Sequence, residues 1–180
     1  MDRYAAVLIP IFADAPHEVV FIERARHLRR HAGEIAFPGG AVDVGDADDH
    51  LRTALREVDE EIGIPPHAIT VVGRLPPLRQ RSKVFTVTPF VGVVDPSTII
   101  RADGNEVVAT HRVPLAAILA PDAVHAGVEV QAERRIETLH FDYAGIHVWG
   151  LTASILGSFV EHHGVAASPL RAALDERLRR

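Results

Sequence analysis

"GGAVDVGDADDHLRTALREVDEEIGI", residues 39–64, concentrates more chemistry than any other part of the chain, and the rest is read outward from it. At about 100° per residue, Leu51, Leu55, Val58 and Ile62 fall on one narrow stripe, the core-facing side of a helix. Asp48 or Asp49 can cap that helix, Gly63 lies just past its last turn, and Pro65 and Pro66 prevent continuation. Glu57, Glu60 and Glu61 project away from the stripe as one acidic flank. Like charges three and four apart destabilise a helix by about 0.2–0.5 kcal/mol per pair. Either water absorbs that cost on a solvated face, or a cation sits there. Glu57 and Glu61 are one turn apart, close enough to share one hard divalent ion such as Mg²⁺, which takes carboxylates together with substrate phosphates. Arg56 is within reach to orient a neighbouring carboxylate.

The 180 residues suffice for one domain with a substantial core and not for two comfortable ones. At 47% hydrophobic and 24% charged the composition is that of an ordinary soluble globular protein. A formal charge of −5 gives no footprint for nucleic acid. The absence of cysteine excludes disulfides, thiolate zinc sites and cysteine nucleophiles, and fits a cytoplasmic location. The apolar run near the N-terminus is too short to span a bilayer and lacks the basic flank of a signal peptide, so no membrane partner is expected.

Strands are expected at 4–13 and 18–25, joined by a turn containing Asp14, Pro16 and His17. Residues 31–42 form a strand or loop bent at Pro38-Gly39-Gly40. Further strands are expected at 68–75 and 84–94, and a strand end leading into a short helix at 111–119. Residues 136–150 alternate as a hairpin turning near Asp142–Gly145, 151–163 are helical, and a last helix starts with Ser168 as cap and Pro169 at its first position. Dispersed helices among more numerous strands predict an α/β architecture. The tail at about 165–180 packs on its own domain or, in a homodimer, on a second subunit.

The opening segment resembles the Nudix box, G-x5-E-x7-R-E-U-x-E-E-x-G-U with U apolar. Its second half matches without a gap from Arg56 through Glu57, Val58, Asp59, Glu60, Glu61, Ile62 and Gly63 to Ile64. Its first half departs. Counting forward from Gly40 reaches Asp46, counting back from Arg56 reaches Asp48, and the acid is Asp rather than Glu. The resemblance implies a Nudix fold, a mixed β-sheet sandwiched between α-helices, with the box at about 40–64 as loop–helix–loop. It implies metal, Mg²⁺ or Mn²⁺, carried mainly by Glu57 and Glu61, and hydrolysis of a nucleoside diphosphate linked to another moiety. An acidic helix would repel a diphosphate unless cations stood between them, and such cations also help to ionise water. Glu60 is a base or second-metal ligand on position alone, and Asp46 or Asp48 assists.

Just before the box, "RARHLRRHAGEIAFPGG" (24–40) has the spacing R-A-x3-R-x3-G-x3-F-P-G-G, similar to the extra motif of the coenzyme A diphosphatase branch. Members typically open that motif with Leu-Leu-Thr and place Gln after its glycine, where this chain has Val20-Phe21-Ile22 and Glu34. The likeness implies a small-molecule substrate, coenzyme A or a related nucleoside diphosphate derivative, bound through Arg24 and Arg29, with Gly39 and Gly40 letting backbone approach the diphosphate. The bland alternative for the arginines is a basic surface, and Arg79, Arg81 and Lys83 form a second basic patch. Glu106, in a loop before a strand, is a carboxylate from outside the box that can act as base or extra ligand. ADP-ribose, NADH or a non-catalytic nucleotide-sensing role are the competing readings. Among eleven histidines, the His27/His31 and His162-His163 pairs lack a carboxylate constellation and are read as surface or hydrogen-bonded residues.

Overall fold

The computed structural model describes residues 3–46, 49–80, 85–131, 134–164 and 168–179. In chain order these form β1 (Arg3–Phe12), β2 (Glu18–Arg24), β3 (Ile35–Ala36), β4 (Gly39–Ala41), α1 (His50–Ile62), β5 (Ile69–Arg74), β6 (Leu78–Gln80) and β7 (Phe85–Val94). There follow β8 (Val107–Pro114), α2 (Leu115–Ile118), β9 (Val124–Gln131), β10 (Arg134–Tyr143), β11 (Ile146–Trp149), α3 (Gly150–Gly164) and α4 (Pro169–Leu178).

The eight strands β1 to β8 make one mixed sheet. Its centre is the parallel pair β1 and β7, in register from Arg3 opposite Phe85 to Phe12 opposite Val94. All other pairings in it are antiparallel: β2 and β4 on β1, β3 and β8 on β2, β5 and β6 on β7. The period-two alternation of β1 is apolar on both sides because both faces are covered. Ala5, Ile9 and Ile11 enter one core cluster, whereas Ala6, Leu8 and Phe12 enter another.

Helix α1 covers the second of these faces. Asp49 is its cap, accepting from the backbone N–H groups of Leu51 and Arg52 at 3.0 and 3.2 Å. Gly63 ends it in a left-handed conformation, φ 68°, and donates to Asp59 O at 2.9 Å. Ala54, Val58 and Ile62 are fully buried beneath it. Burying Val58 and Ile62 contributes about 1.5–3 kcal/mol each. The expected stripe is corrected at one position: Leu55 is only half-buried, and the smaller Ala54 takes the contact with the sheet.

The first face is covered by α3, by α4 and by a feature the hydropathy pattern did not predict, a separate antiparallel sheet in the order β11-β10-β9. The expected hairpin is β10–β11. Strand β9 adds to its free edge, pairing from Val124 opposite Phe141 to Gln131 opposite Arg134. The tail packs on its own chain. Leu170 and Leu174 of α4 are buried, and the Leu170 side chain occupies the space a Cβ at Gly73 would need. Among the described residues no helix is long and apolar enough to cross a membrane.

Candidate active site

The end of β2, the short strand β4, helix α1 and the loop before β8 converge on one carboxylate-rich site. The acidic flank of α1 is split by the helical period. Glu61 borders the buried stripe, Glu57 lies one step further round, and Glu60 lies a further step beyond it, toward solvent. Accordingly Glu61 is 6% exposed, Glu57 is half-buried, and the Glu60 side chain is 59% exposed.

Two glycines of β4 make room for the two inner glutamates. Gly39 adopts φ +153°, a conformation other residues rarely reach, and a Cβ there would strike the Ala6 carbonyl and the Val7 backbone. Its N–H donates to Glu61 Oε2 at 2.9 Å. At Gly40 a Cβ would fall on the Glu57 carboxylate itself. The Gly39-Gly40 pair, expected to admit a diphosphate, thus first of all seats the carboxylates.

Arg24, at the end of β2, bridges two of the acids. Its Nη1 lies 3.5 Å from Glu61 Oε1 and its Nη2 3.4 Å from Glu106 Oε2. Glu106 reaches the site because its loop is anchored to α1. The N–H of Asp103 donates to the Glu61 carbonyl at 3.0 Å. The Asp103 carboxylate in turn accepts from the backbone N–H groups of Asn105, Glu106 and Val107. Asp103 escaped the sequence reading, although Asp followed by Gly-Asn is a turn signal of the kind that ties side chain to backbone.

Arg56 is the hub on the other side. Its Nε and Nη2 grip Asp46 in a two-pronged contact at 3.3 and 3.1 Å, Nη2 also lies 3.0 Å from Glu57 Oε1, and Nη1 donates to Glu60 Oε2 at 3.0 Å. Asp46 is buried, and the Thr53 hydroxyl donates to its Oδ2 at 2.8 Å. The Arg56 guanidinium and the Thr53 hydroxyl hold the Asp46 carboxyl well below the usual carboxylate range. Asp46 therefore holds Arg56, while Asp48 lies outside the described residues. Arg29 is exposed in the turns after β2, without a partner among the described residues, and is not brought to the carboxylates. Arg79 lies on β6, and Arg81 and Lys83 fall outside the described residues.

Burial pushes the Glu61 carboxyl up to about 8, with Glu57 and Glu106 adding repulsion against the opposing Gly39 N–H and Arg24. Burial likewise raises Glu57, partly offset by Arg56. Two desolvated carboxylates that resist ionising side by side form a donor set that a hard divalent cation would relieve. Every ligand atom they offer is oxygen, so Glu57 and Glu61 fit Mg²⁺ or Mn²⁺. Glu60, expected beside them, is instead directed to Arg56 and solvent. Elsewhere, His31 contacts Glu34 Oε2 at 2.7 Å and His162 donates to the Ser158 carbonyl at 2.7 Å, ordinary local hydrogen bonds.

The NUDIX domain family matches residues 2–132. A Salmonella paratyphi B protein described as "Uncharacterized Nudix hydrolase NudL" is 42% identical over 165 residues, covering 91% of this chain and 84% of its own. Among solved structures, a MutT/nudix family protein from Enterococcus faecalis aligns at TM-score 0.57 and 14% identity, over 97% of this chain and 68% of that one. The NUDIX domain of Shewanella oneidensis NrtR, solved with ADP ribose, aligns at TM-score 0.52 and 16% identity, over 66% of this chain and 77% of that one. At those identities the structural likenesses speak for the fold alone.

Proposed function

The chain belongs to the Nudix hydrolase family, and from that premise we propose that it cleaves the diphosphate of coenzyme A or its thioesters. The products are 3′,5′-ADP and 4′-phosphopantetheine or its acyl derivative. As a Nudix hydrolase it acts on diphosphate bonds of nucleoside diphosphate derivatives, and a divalent metal is general to such enzymes. The finer reading rests chiefly on one observation. Arg24, Gly39 and Gly40, the first and last members of the motif that precedes the box, lie directly against the box glutamates. The two ends of the additional motif thus border the box carboxylates, while its middle, with Arg29, stays exposed.

Glu57 and Glu61 would hold Mg²⁺ or Mn²⁺. When bound, the metal neutralises the diphosphate and makes water a better nucleophile. Glu106, held beside Glu61 by Arg24, accepts the proton from that water. Arg56 keeps Glu57 aimed inward while anchored on Asp46, and Glu60 steadies the far side of the guanidinium. Arg24 and the exposed Arg29 supply cationic forks for phosphate oxygens, suited to a substrate with a 3′-phosphate beyond its diphosphate.

The test is a metal-dependent hydrolysis panel of coenzyme A, acyl-coenzyme A, ADP-ribose and NADH, with products resolved by mass. Preference for coenzyme A or its thioesters supports the proposal. Preference for ADP-ribose or NADH overturns the substrate and leaves the reaction class standing. One observation favours a second reading, a nucleotide-sensing module: the first acidic position of the box departs from the pattern, and Asp46 is spent on Arg56 and Thr53. Ligand-induced thermal stabilisation without any product would support that reading.

A further inference from the structure

The β9–β10–β11 sheet turns one face to the core, carrying Phe141 and Val148. Its other face carries His125, Glu129, His140, Asp142 and His147, by the alternation of the paired strands. One ligand atom from each of Glu129, His140 and His147 lies within 4.8 Å of the other two. The three residues come from three different strands, β9, β10 and β11 respectively.

His140 is 6% exposed, and its Nε2 is buried with no hydrogen-bond partner. An unpaired ring nitrogen out of water is unfavourable, so that atom calls for a ligand. The ring is also pinned. It fills the space that a Cβ at Gly127 would take, and the His125 and His147 rings flank it at centroid distances of 6.1 and 5.3 Å. His147 is oriented independently. Its Nδ1 lies 2.7 Å from Asp142 Oδ1, and because a carboxylate only accepts, Nδ1 carries the proton. In the neutral ring the free lone pair is then on Nε2, which lies 3.5 Å from Glu129 Oε2. A carboxylate behind an imidazole in this manner is how metal-binding histidines are commonly fixed in tautomer and direction.

We propose that Glu129, His140 and His147 bind a divalent transition-metal ion, with Zn²⁺ as the fitting probe, and that the ion ties the three strands of the small sheet together. Two imidazoles and one carboxylate suit Zn²⁺, which completes a tetrahedron with water, whereas Mg²⁺ and Mn²⁺ favour oxygen. The site shares no residue with the carboxylates of α1, so it stands whether or not the proposed hydrolysis does.

The test is a calorimetric Zn²⁺ titration of the tag-free, metal-stripped full chain and of its Glu57→Gln/Glu61→Gln variant, which removes the oxygen site. The expected result is about one Zn²⁺ per chain retained by that variant, with a raised melting temperature. Adding Asp142→Asn to it should weaken binding about tenfold, and adding His147→Ala should weaken it further still. His147 and Glu129 have side chains 47% and 27% exposed, so removing them leaves the core intact. Co²⁺ added to the wild-type chain should give the visible absorption of a tetrahedral nitrogen–oxygen site, absent in His147→Ala, which serves should the double variant fold poorly. Zn²⁺ affinity unchanged by both His147→Ala and Glu129→Gln, or no Zn²⁺ bound without Glu57 and Glu61 in a folded chain, overturns the proposal.

Discussion

Gly40 lies so close against Glu57 that the carboxylate occupies the place a Cβ at position 40 would take. Gly40→Ala should therefore leave the fold largely intact while pushing Glu57 out of line with Glu61. A misplacement near 1 Å can cost about 100-fold in rate, and hydrolysis assays at saturating metal should read a loss of that order. Wild-type turnover in Gly40→Ala would remove Glu57 from the metal site.

Gly39→Ala should behave differently, because its added Cβ meets the backbone of β1 and its φ of +153° is open mainly to glycine. Strain at such a position costs about 1–3 kcal/mol before the collision is counted. Denaturant melts should show a destabilisation at least that large, in contrast to a much smaller change for Gly40→Ala.

The raised Glu61 carboxyl gives the metal-free protein a defined pH response. From its ordinary value of 4.5 up to about 8, the folded state keeps a proton that the unfolded state has released. Stability from this group is therefore greatest at low pH within that window and declines as pH rises through about 8. Metal-free urea melts at about pH 5, 6, 7 and 8 should show this decline, and Glu61→Gln should flatten it. Added Mg²⁺ should stabilise more at the alkaline end, since the ion displaces the proton. A Glu61→Gln profile parallel to wild type would refute the assignment.

Asp103 touches no carboxylate of the site, yet it fixes the loop that presents Glu106. If Glu106 is the base, Glu106→Gln should lower kcat by about 100-fold or more. Asp103→Ala should lower kcat in the same direction by a smaller factor, with a destabilisation of about 1–3 kcal/mol from the backbone N–H groups it leaves without that acceptor. An intact kcat in Glu106→Gln would move the base elsewhere, with exposed Glu60 the next group to test.

How far these features are legible in the sequence depends on the range of the interaction behind them. Helix α1 and its Gly63 stop are local, set by a period and an end signal, and they fold as read, while the structure selects Asp49 from the two candidate caps. That Glu57 and Glu61 lie one turn apart on one flank is legible for the same reason. Their inequality is not: which of three glutamates is buried depends on where β4 crosses the helix, and on Ala54 displacing Leu55 from the sheet contact. Strand β9 was missed because "VHAGVEVQ" packs little of itself, with Val128 and Val130 left 42% and 62% exposed. His140 and His147 likewise meet Glu129 only through pairing across three strands, which spacing along the chain does not show.

The C-terminal helix supplies the last test, because its sequence shows an end cap but not its destination. Leu174 is fully buried in the same cluster as Val91 of β7 and Phe159 of α3, and Leu170 rests on Gly73 of β5. A helix held this way is part of the core, and truncating a buried leucine costs about 2–5 kcal/mol through lost transfer energy and the cavity left behind. Leu174→Ala should therefore lower stability by that amount in equilibrium denaturation, independently of protein concentration, since the contacts are within one chain. A concentration-dependent loss would place α4 against a second subunit instead. Because α4 does not touch the carboxylates of α1, the folded variant should retain wild-type kcat, separating the support of the fold from the chemistry of its site.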